Sequence, residues 1–424
     1  MMLSPDITLI IKVTNACDLQ CRYCFIEPSV FHKKMTDETA HRVVHAFLQS
    51  DFFRSVQFVW HGGEPLLRGR GFFERVFEQQ RTCETRVTYT NATQTNATHL
   101  DDDMLEFLLA NDVSIGLSLD GPAELTDASR RGRRNLPLLT GDRGTGPAHR
   151  GAHETTVDAA RRLQQRGRAA GAIVTVNRNN VGHPEAVYQE FRSRRLHMKI
   201  NPLTRSGLAD TPLGEDLGIT ADEYGDFLVR MFDAWFDDRD APISIEPFGQ
   251  HIARMLGDEA THSCFYTLSC HRFFLGISPD GDLFPCGMFQ GEPSFRYGNI
   301  HEMEPQDVAG TVLFGRIDSR EQKVLQTCSR CAFFDLCYGG CMFHSLKDSK
   351  VLEEKDYYCV GYKTYFEHVL RRIHDDLGRA VQVSGGTSSD PPRGEPGPDG
   401  HGADRATSGR ARTSVPAPAR EDNR

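Results

Sequence analysis

Several features that would place the chain in a broad class are missing. No apolar run approaches the ~20 residues that a membrane-spanning helix requires. The strand-like run near the start, Ile7 to Val13, is interrupted by Lys12. The residues before it, Met1-Met2-Leu3-Ser4-Pro5-Asp6, form no basic leader, so this run reads as a strand and not as a signal peptide. Positive charge is not in excess: 49 Lys and Arg against 58 Asp and Glu leave a net charge of −9, which argues against a nucleic-acid footprint. Internal repeats are absent. These absences predict a cytoplasmic protein with neither a membrane nor a nucleic-acid partner.

The end of the chain is also poor in structure-forming residues. From Ser384 to Arg424 there is no aromatic residue, Leu, Ile, Met or Cys, and 13 of the 41 positions are Gly or Pro. Such a segment cannot bury enough apolar surface to offset its conformational entropy, and a disordered tail over 384–424 is expected.

Ahead of the tail, strand-like runs alternate with helical patterns. Runs at 7–13, 55–60, 86–90, 113–118, 172–177 and 197–201 read as buried strands. Helices are expected at 37–49, 71–81, 101–110, 153–166 and 183–194, with Thr36 as N-cap of the first and a further helix at 221–237. Alternation of this kind implies an α/β fold with a parallel sheet. Six units over about 200 residues suit a partial (β/α)6 TIM-type barrel better than the full eight. The Gly- and Arg-rich stretch from Arg130 to Gly151 is expected as a surface loop.

What the chain has in quantity is cysteine, 12 residues in groups: Cys17, Cys21 and Cys24, then eight from Cys264 to Cys359, with Cys83 alone as a structural thiol. Without a signal peptide, grouped cysteines indicate metal or cluster ligation and not disulfides. The first group has the spacing C-x3-C-x2-C, a few residues after the first expected strand. In an alternating barrel, chemistry sits in loops at the C-terminal ends of strands. Three thiolates can hold three irons of a [4Fe–4S] cluster and leave the fourth open to a ligand, although spacing alone leaves a zinc site open as well.

This triplet, with Tyr23 before its last cysteine, resembles the radical S-adenosylmethionine (SAM) enzymes. Trp60-His61-Gly62-Gly63-Glu64-Pro65 at the end of the second strand is similar to that family's GGEP motif, whose backbone and acid hold the methionine amino group. Ser118-Leu119-Asp120-Gly121-Pro122 followed by Arg130 resembles the SxDGP…R stretch of sulfatase-maturase-like members, where the serine and arginine meet the carboxylate and ribose of the cofactor. Gln94-Thr95-Asn96 resembles the family's QTN stretch, with Ala97 where glycine is usual. The resemblance implies S-adenosyl-L-methionine as cofactor, contacted by Tyr23, Gly62, Gly63, Glu64, Pro65, Ser118 and Arg130. It also implies a 5′-deoxyadenosyl radical that abstracts a hydrogen from the substrate. His61 reads equally as a contact to cofactor or substrate and as a packed histidine.

The remaining eight cysteines form Cys264-x5-Cys270, Cys286 beyond Gly281, Cys328-x2-Cys331-x5-Cys337-x3-Cys341 and then Cys359. Eight thiolates suit two fully ligated [4Fe–4S] clusters, and the spacing by itself also suits zinc ribbons. Beside the radical core the pattern resembles the SPASM extension of radical peptide-modifying enzymes. That resemblance implies interleaved ligation, with Cys264, Cys270, Cys286 and Cys341 on one cluster and Cys328, Cys331, Cys337 and Cys359 on the other, three [4Fe–4S] clusters in all. Asp280-Gly281 is expected to turn a tight hairpin between cysteine-bearing strands. The expected organisation is a radical SAM barrel at 1–240, a SPASM domain at 241–375 and the tail at 384–424.

One departure matters for function. In sulfatase maturases an aspartate follows the cysteine that corresponds to Cys286 and is proposed to take the substrate proton. Here that position is Gly287. The expected activity is therefore oxidative crosslinking of a peptide side chain by a maturase of ribosomally made peptides (RiPPs), giving a cyclophane or thioether. Formylglycine formation from Ser or Cys, and action on a small metabolite, are the alternatives. A peptide or protein substrate and a low-potential electron donor of flavodoxin or ferredoxin type are the partners implied. No leader-binding domain is seen before the first strand, so a separate leader-binding protein is expected. No catalytic base is identified.

Overall fold

The computed structural model describes residues 2–132, 151–258 and 264–385. Most of the loop expected at 130–151 and nearly all of the tail expected from Ser384 lie outside the described residues. Met1–His374 form one compact unit and Asp375–Arg424 a second, described to Gly385 as the continuation of the helix Cys359–Gly385. Among the described residues no helix is long and apolar enough to cross a membrane.

The strands are β1 (Asp6–Thr14), β2 (Leu19–Cys21), β3 (Ser55–Gly62), β4 (Thr88–Gln94), β5 (Val113–Ser118), β6 (Arg130–Gly132), β7 (Gly171–Val176), β8 (His197–Pro202), β9 (Ile245–Glu246), β10 (Phe274–Ile277), β11 (Asp282–Phe284) and β12 (Gly298–Asn299). Ten of them form one sheet in the order β12-β11-β10-β1-β3-β4-β5-β7-β8-β9, and β2 pairs with β6 separately. From β10 to β9 every neighbour is parallel. The six expected strands are the middle of this sheet, so the expected α/β core is present. β4 lies later than expected because its sequence Thr-Tyr-Thr-Asn-Ala-Thr-Gln is polar and half exposed.

Helices fill the crossovers, as right-handed parallel connections demand. The helix Asp37–Leu48 starts where Thr36 accepts from the Thr39 amide, with Asp37 and Glu38 in its first turn. It buries Val43, Val44, Phe47 and Leu48, while alternate residues of β1 (Leu9, Ile11, Val13) meet them from the sheet. The other alternate face of β1 carries Thr8, Ile10 and Lys12 inward to the opposite side of the sheet. The helix Ala221–Phe236 opens on a complete capping box between Thr220 and Glu223.

The cysteine-rich region is not an appended lobe on a linker. Its strand β10 pairs in parallel with β1, from Thr8↔Phe274 to Ile11↔Ile277. β10 and β11 then form the expected hairpin, with Gly281 at φ +85° in its turn. The first strand of the barrel is thus clamped between β3 and β10, whose hairpin partner β11 leads into Cys286.

Candidate functional site

The C-terminal ends of β1 and β3 are bound to each other by main chain. Gly63 N donates to Thr14 O and Glu64 N to Ala16 O, both at 2.8 Å. A Cβ at Gly62 would fall 2.0 Å from Thr14 O, and one at Gly63 2.2 Å from Ala16 O. Gly62 also sits at φ +139°. The paired glycines are therefore required by backbone packing against the cysteine loop, a reason that motif reading, which looked to a ligand, did not contain.

Glu64, fully buried, joins three strand ends. Its carboxylate accepts from Leu66 N (3.0 Å), Thr95 Oγ1 (2.8 Å) and Asn96 N (2.8 Å). Burial nonetheless pushes it up to about 7, against these three bonds. Asn96 Nδ2 in turn reaches Asp18 Oδ1 (3.1 Å) and Cys17 Sγ (3.5 Å). Gln94 Nε2 donates to Ser118 Oγ at 3.1 Å. So the GGEP, QTN and SxD stretches, distant in sequence, form one hydrogen-bonded rim around the first thiols. Ala97, where glycine is usual, adopts φ +67° and carries the ~1–2 kcal/mol cost of a left-handed alanine.

Arg130 is placed by the small second sheet, in which it lies opposite Cys21. Its fork is bidentate on Asp120, Nε to Oδ2 at 2.9 Å and Nη2 to Oδ1 at 3.0 Å. Asp120 also accepts from the Tyr23 hydroxyl and, at 3.0 Å, from Thr175 N. The Arg130 guanidinium lies over the Tyr23 ring, 5.3 Å from its centroid. Tyr23, Ser118 and Arg130 are thus brought to one side of the cysteine loop, with Asp120 as the buried hub.

Twelve thiols are present and none is paired as a disulfide. All but Cys83 gather in three sets, read from which thiol acts electrostatically on which. Cys17 and Cys24 both act on, or are acted on by, Cys21. Cys264, Cys270, Cys286 and Cys341, here called the inner quartet, influence one another. Cys328, Cys331, Cys337 and Cys359, the outer quartet, influence one another and line a cavity of about 60 Å³. Burial pushes Cys21, Cys286 and Cys337 up to about 12. Each set has a cation that works the other way: Arg130 on Cys21, Lys199 on Cys264, Lys355 on Cys328. Convergent soft donors with a cation beside each set suit metal–thiolate centres. Cys83 stands apart at the end of the helix Arg70–Thr82, accepting from Gln49 Nε2 at 3.3 Å.

Between the triplet and the inner quartet the β1 and β3 ends carry a floor of side chains that sequence reading saw only in part. Lys12 and His61 are directly opposite each other in the β1–β3 register. The Lys12 ammonium lies 4.7 Å from the Phe25 ring centroid, and the same ring meets His61 edge-on. His61 Nδ1 accepts the Gly62 N–H at 2.7 Å, and burial pushes the ring down to about 4, so it is neutral with its hydrogen on Nε2. Gly287 borders this floor. A Cβ there would fall 2.6 Å from Ile10 Cγ2, so a larger residue at this position would need the Ile10 side chain to shift. Lys199 and Glu246, paired at 2.8 Å on β8 and β9, close the far side near Cys264. A larger cavity of about 370 Å³ lies at the opposite, N-terminal ends of β1, β3 and β4, among Asp6, Ser55 and Thr88, with no cysteine in its lining.

The Radical SAM superfamily pattern matches residues 11–191, from β1 through β7. The cysteine-type anaerobic sulfatase-maturating enzyme of Clostridium perfringens (strain 13) is 28% identical over 391 residues, 87% of this chain and 98% of that one. A solved structure described as native anSMEcpe with bound AdoMet and Cp18Cys peptide superposes with a TM-score of 0.75 at 25% identity, covering 89% of this chain and 100% of that one. SuiB of Streptococcus suis, bound to its precursor peptide SuiA, superposes with a TM-score of 0.59 at 18% identity over 84% of this chain and 76% of that one, a likeness of fold alone. Residues 11–191 thus carry a Radical SAM domain, and the chain is an enzyme similar along most of its length to sulfatase-maturating enzymes.

Proposed function

We propose that the chain is a peptide maturase that removes two hydrogens from a side chain of a peptide substrate and leaves an oxidative crosslink. Cys17, Cys21 and Cys24 hold a [4Fe–4S] cluster with an open iron for S-adenosylmethionine. The cofactor is held by Gly62, Gly63, Glu64 and Pro65 on one side and by Tyr23, Ser118 and Arg130 on the other. The inner and outer quartets hold two further clusters, in a C-terminal region taken as 241–375 behind a barrel at 1–240. Bound together, cluster and cofactor supply one-electron chemistry able to take hydrogen from an unactivated carbon. The chain's own residues do the rest. Glu64 locks three strand ends so that the rim keeps its shape, and Asp120 holds Arg130 and Tyr23 in place. The neutral His61 offers an Nε2–H donor to whatever enters, and the buried floor excludes water.

A peptide substrate is supported by the near full-length likeness to a protein solved with a peptide bound. Crosslinking over formylglycine rests on one observation, glycine at position 287, directly after Cys286, where sulfatase maturases carry an aspartate. Of the two hydrogens lost, one leaves as an atom and the other as a proton and an electron, and the electron leaves through a flavodoxin- or ferredoxin-type partner. The second reading, oxidation of Ser or Cys to formylglycine, is favoured by the sulfatase-maturating relative that spans nearly all of both chains.

Anaerobic co-expression with a short peptide encoded beside the gene separates the two. Loss of two hydrogens, a segment that resists fragmentation and no capture by an aminooxy reagent are expected. Aminooxy capture would establish an aldehyde and the second reading, and an unchanged mass would move the substrate away from that peptide.

A further inference from the structure

Burying a charge without a partner is costly, so an interior cation normally lies against a carboxylate. Three Lys or Arg side chains are buried among the described residues: Lys12, Arg130 and Arg320. Arg130 has Asp120. The other two have no carboxylate within 4 Å among the described residues, and both lie between thiol sets.

Lys12 is 3% exposed, and its Nζ meets the face of Phe25. The anionic groups that act on it are Cys24 of the triplet, Cys286 of the inner quartet and, more weakly, Glu27. Burial draws it down, and the neighbouring Cys24, Cys286 and Glu27 oppose that fall by favouring the charged form. Arg320, also 3% exposed, donates only to main-chain carbonyls: Nε to Leu352 O at 2.8 Å, Nη2 to Gly340 O and Glu354 O at 3.3 Å. The side chains that act on it are Cys270 and Cys341 of the inner quartet, Asp356, and Cys328 of the outer quartet. Arginine keeps its charge in any protein environment.

The order along the molecule is therefore triplet, Lys12, inner quartet, Arg320, outer quartet. We propose that Lys12 and Arg320 are fixed positive charges that join the three thiol sets in series, each favouring the electron-rich form of the two centres it lies between. The proposal rests on the reading that each set holds a cluster. Its physical ground is that the potential of an iron–sulfur centre follows local charge, and that a cation in a dry interior acts strongly at short range. Neither cation has a carboxylate within 4 Å among the described residues, so the positive charge of each is not cancelled by a direct ion pair.

The test is a potentiometric titration of the fully loaded, full-length protein followed by electron paramagnetic resonance, on wild type, Lys12→Met, Lys12→Arg, Arg320→Gln and Arg320→Lys. Lys12→Met should disfavour reduction of the triplet and inner centres at least tenfold, about 59 mV for one electron, and leave the outer centre in place. Arg320→Gln should shift the inner and outer centres and leave the triplet centre in place. The Arg and Lys replacements that keep the charge should stay close to wild type. An inner centre that moves in neither neutral variant, or three centres that move together, would overturn the proposal. Should Arg320→Gln lose iron because its three carbonyls are left unbonded, the Lys12 pair decides alone. A wild type holding fewer than three clusters would instead bring down the reading on which the proposal rests.

Discussion

The two cysteine quartets hold the same residue in the same number, yet they are built differently. The inner one is fused to the main sheet. Cys270 precedes β10, Cys286 follows β11, and a Cβ on Gly276 would meet Cys286 O at 2.4 Å, so strand and loop touch backbone to backbone. The outer one is assembled from helix ends. Cys328 closes the helix Val312–Cys328, Cys337 closes Phe334–Cys337 and Cys359 opens the last helix. Its cavity is edged by Lys355 and Lys363, both exposed. A ligand set tied into a sheet shares the barrel's rigidity and its pocket; one tied to helix ends faces solvent and any partner that approaches.

The largest effects follow from that contrast. Replacing Cys17, Cys21 and Cys24 together by Ala should abolish cofactor cleavage and leave about two clusters' worth of iron, measured as 5′-deoxyadenosine released and iron per chain. Cys337→Ala, in the outer set, should spare cofactor cleavage more than product formation. Cys286→Ala, in the inner set, should damage both, because Cys286 lies beside the β1 floor that carries Lys12. Equal losses in the two single variants would erase the distinction between inner and outer sets.

A smaller effect separates the sets by pH. An unfolded cysteine titrates near 8.5, whereas Cys286 and Cys337 are held up at about 12 and Cys341 well above its ordinary value, in each case chiefly by burial. A raised folded value favours the fold below the unfolded value, and that advantage is lost as pH rises through the window. The iron-free, reduced protein should therefore lose resistance to urea from about pH 8.5 upward. Cys341→Ala should flatten that fall more than Cys328→Ala, since Cys341 is pushed up the further and faces Asp356, whereas Cys328 is eased by Lys355. With iron bound the thiols are already deprotonated, and the fall should vanish over the same range.

Much of this architecture is local and could be read from the chain. The six parallel strands, the helices between them, the Thr36 cap and the Asp280-Gly281 hairpin all depend on residues near one another in sequence. The interleaving of the eight cysteines was legible only through family resemblance. What escaped reading depends on distant elements. The pairing of β10 with β1 joins residues more than 260 positions apart in the chain and leaves no periodicity to find. Lys12 looked like a break in an apolar strand; that it is buried and lacks a carboxylate follows from Phe25, His61 and Cys286 closing over it. Arg320 sits in a helix with an ordinary polar pattern, and its isolation is visible only once Gly340, Leu352 and Glu354 are seen to offer it carbonyls alone.

The smallest effect concerns the link that sends adjacent cysteines to different sets. Between Cys337 of the outer quartet and Cys341 of the inner one stand Tyr338, Gly339 and Gly340, with φ of +47°, +80° and +72°. Three successive left-handed residues reverse the chain within one short spacer, and so the C-x3-C spacing serves two centres and not one. Only glycine adopts this region cheaply, and a side chain costs ~1–2 kcal/mol for each residue. Space is short as well: a Cβ on Gly339 would fall 2.4 Å from Val324 Cγ1, and one on Gly340 2.3 Å from Asp356 Cβ. Gly340 is the tighter of the two, because Asp356 also holds Cys341 N at 2.7 Å and His344 Nδ1 at 3.1 Å. Gly339→Ala should lower the unfolding free energy by about 1–2 kcal/mol, read by urea denaturation, with iron content nearly intact. Gly340→Ala should cost at least as much and, through Asp356 and Cys341, should loosen iron in the inner set before the outer. Loss from the outer set first would show that the spacer serves the helix ends and not the sheet.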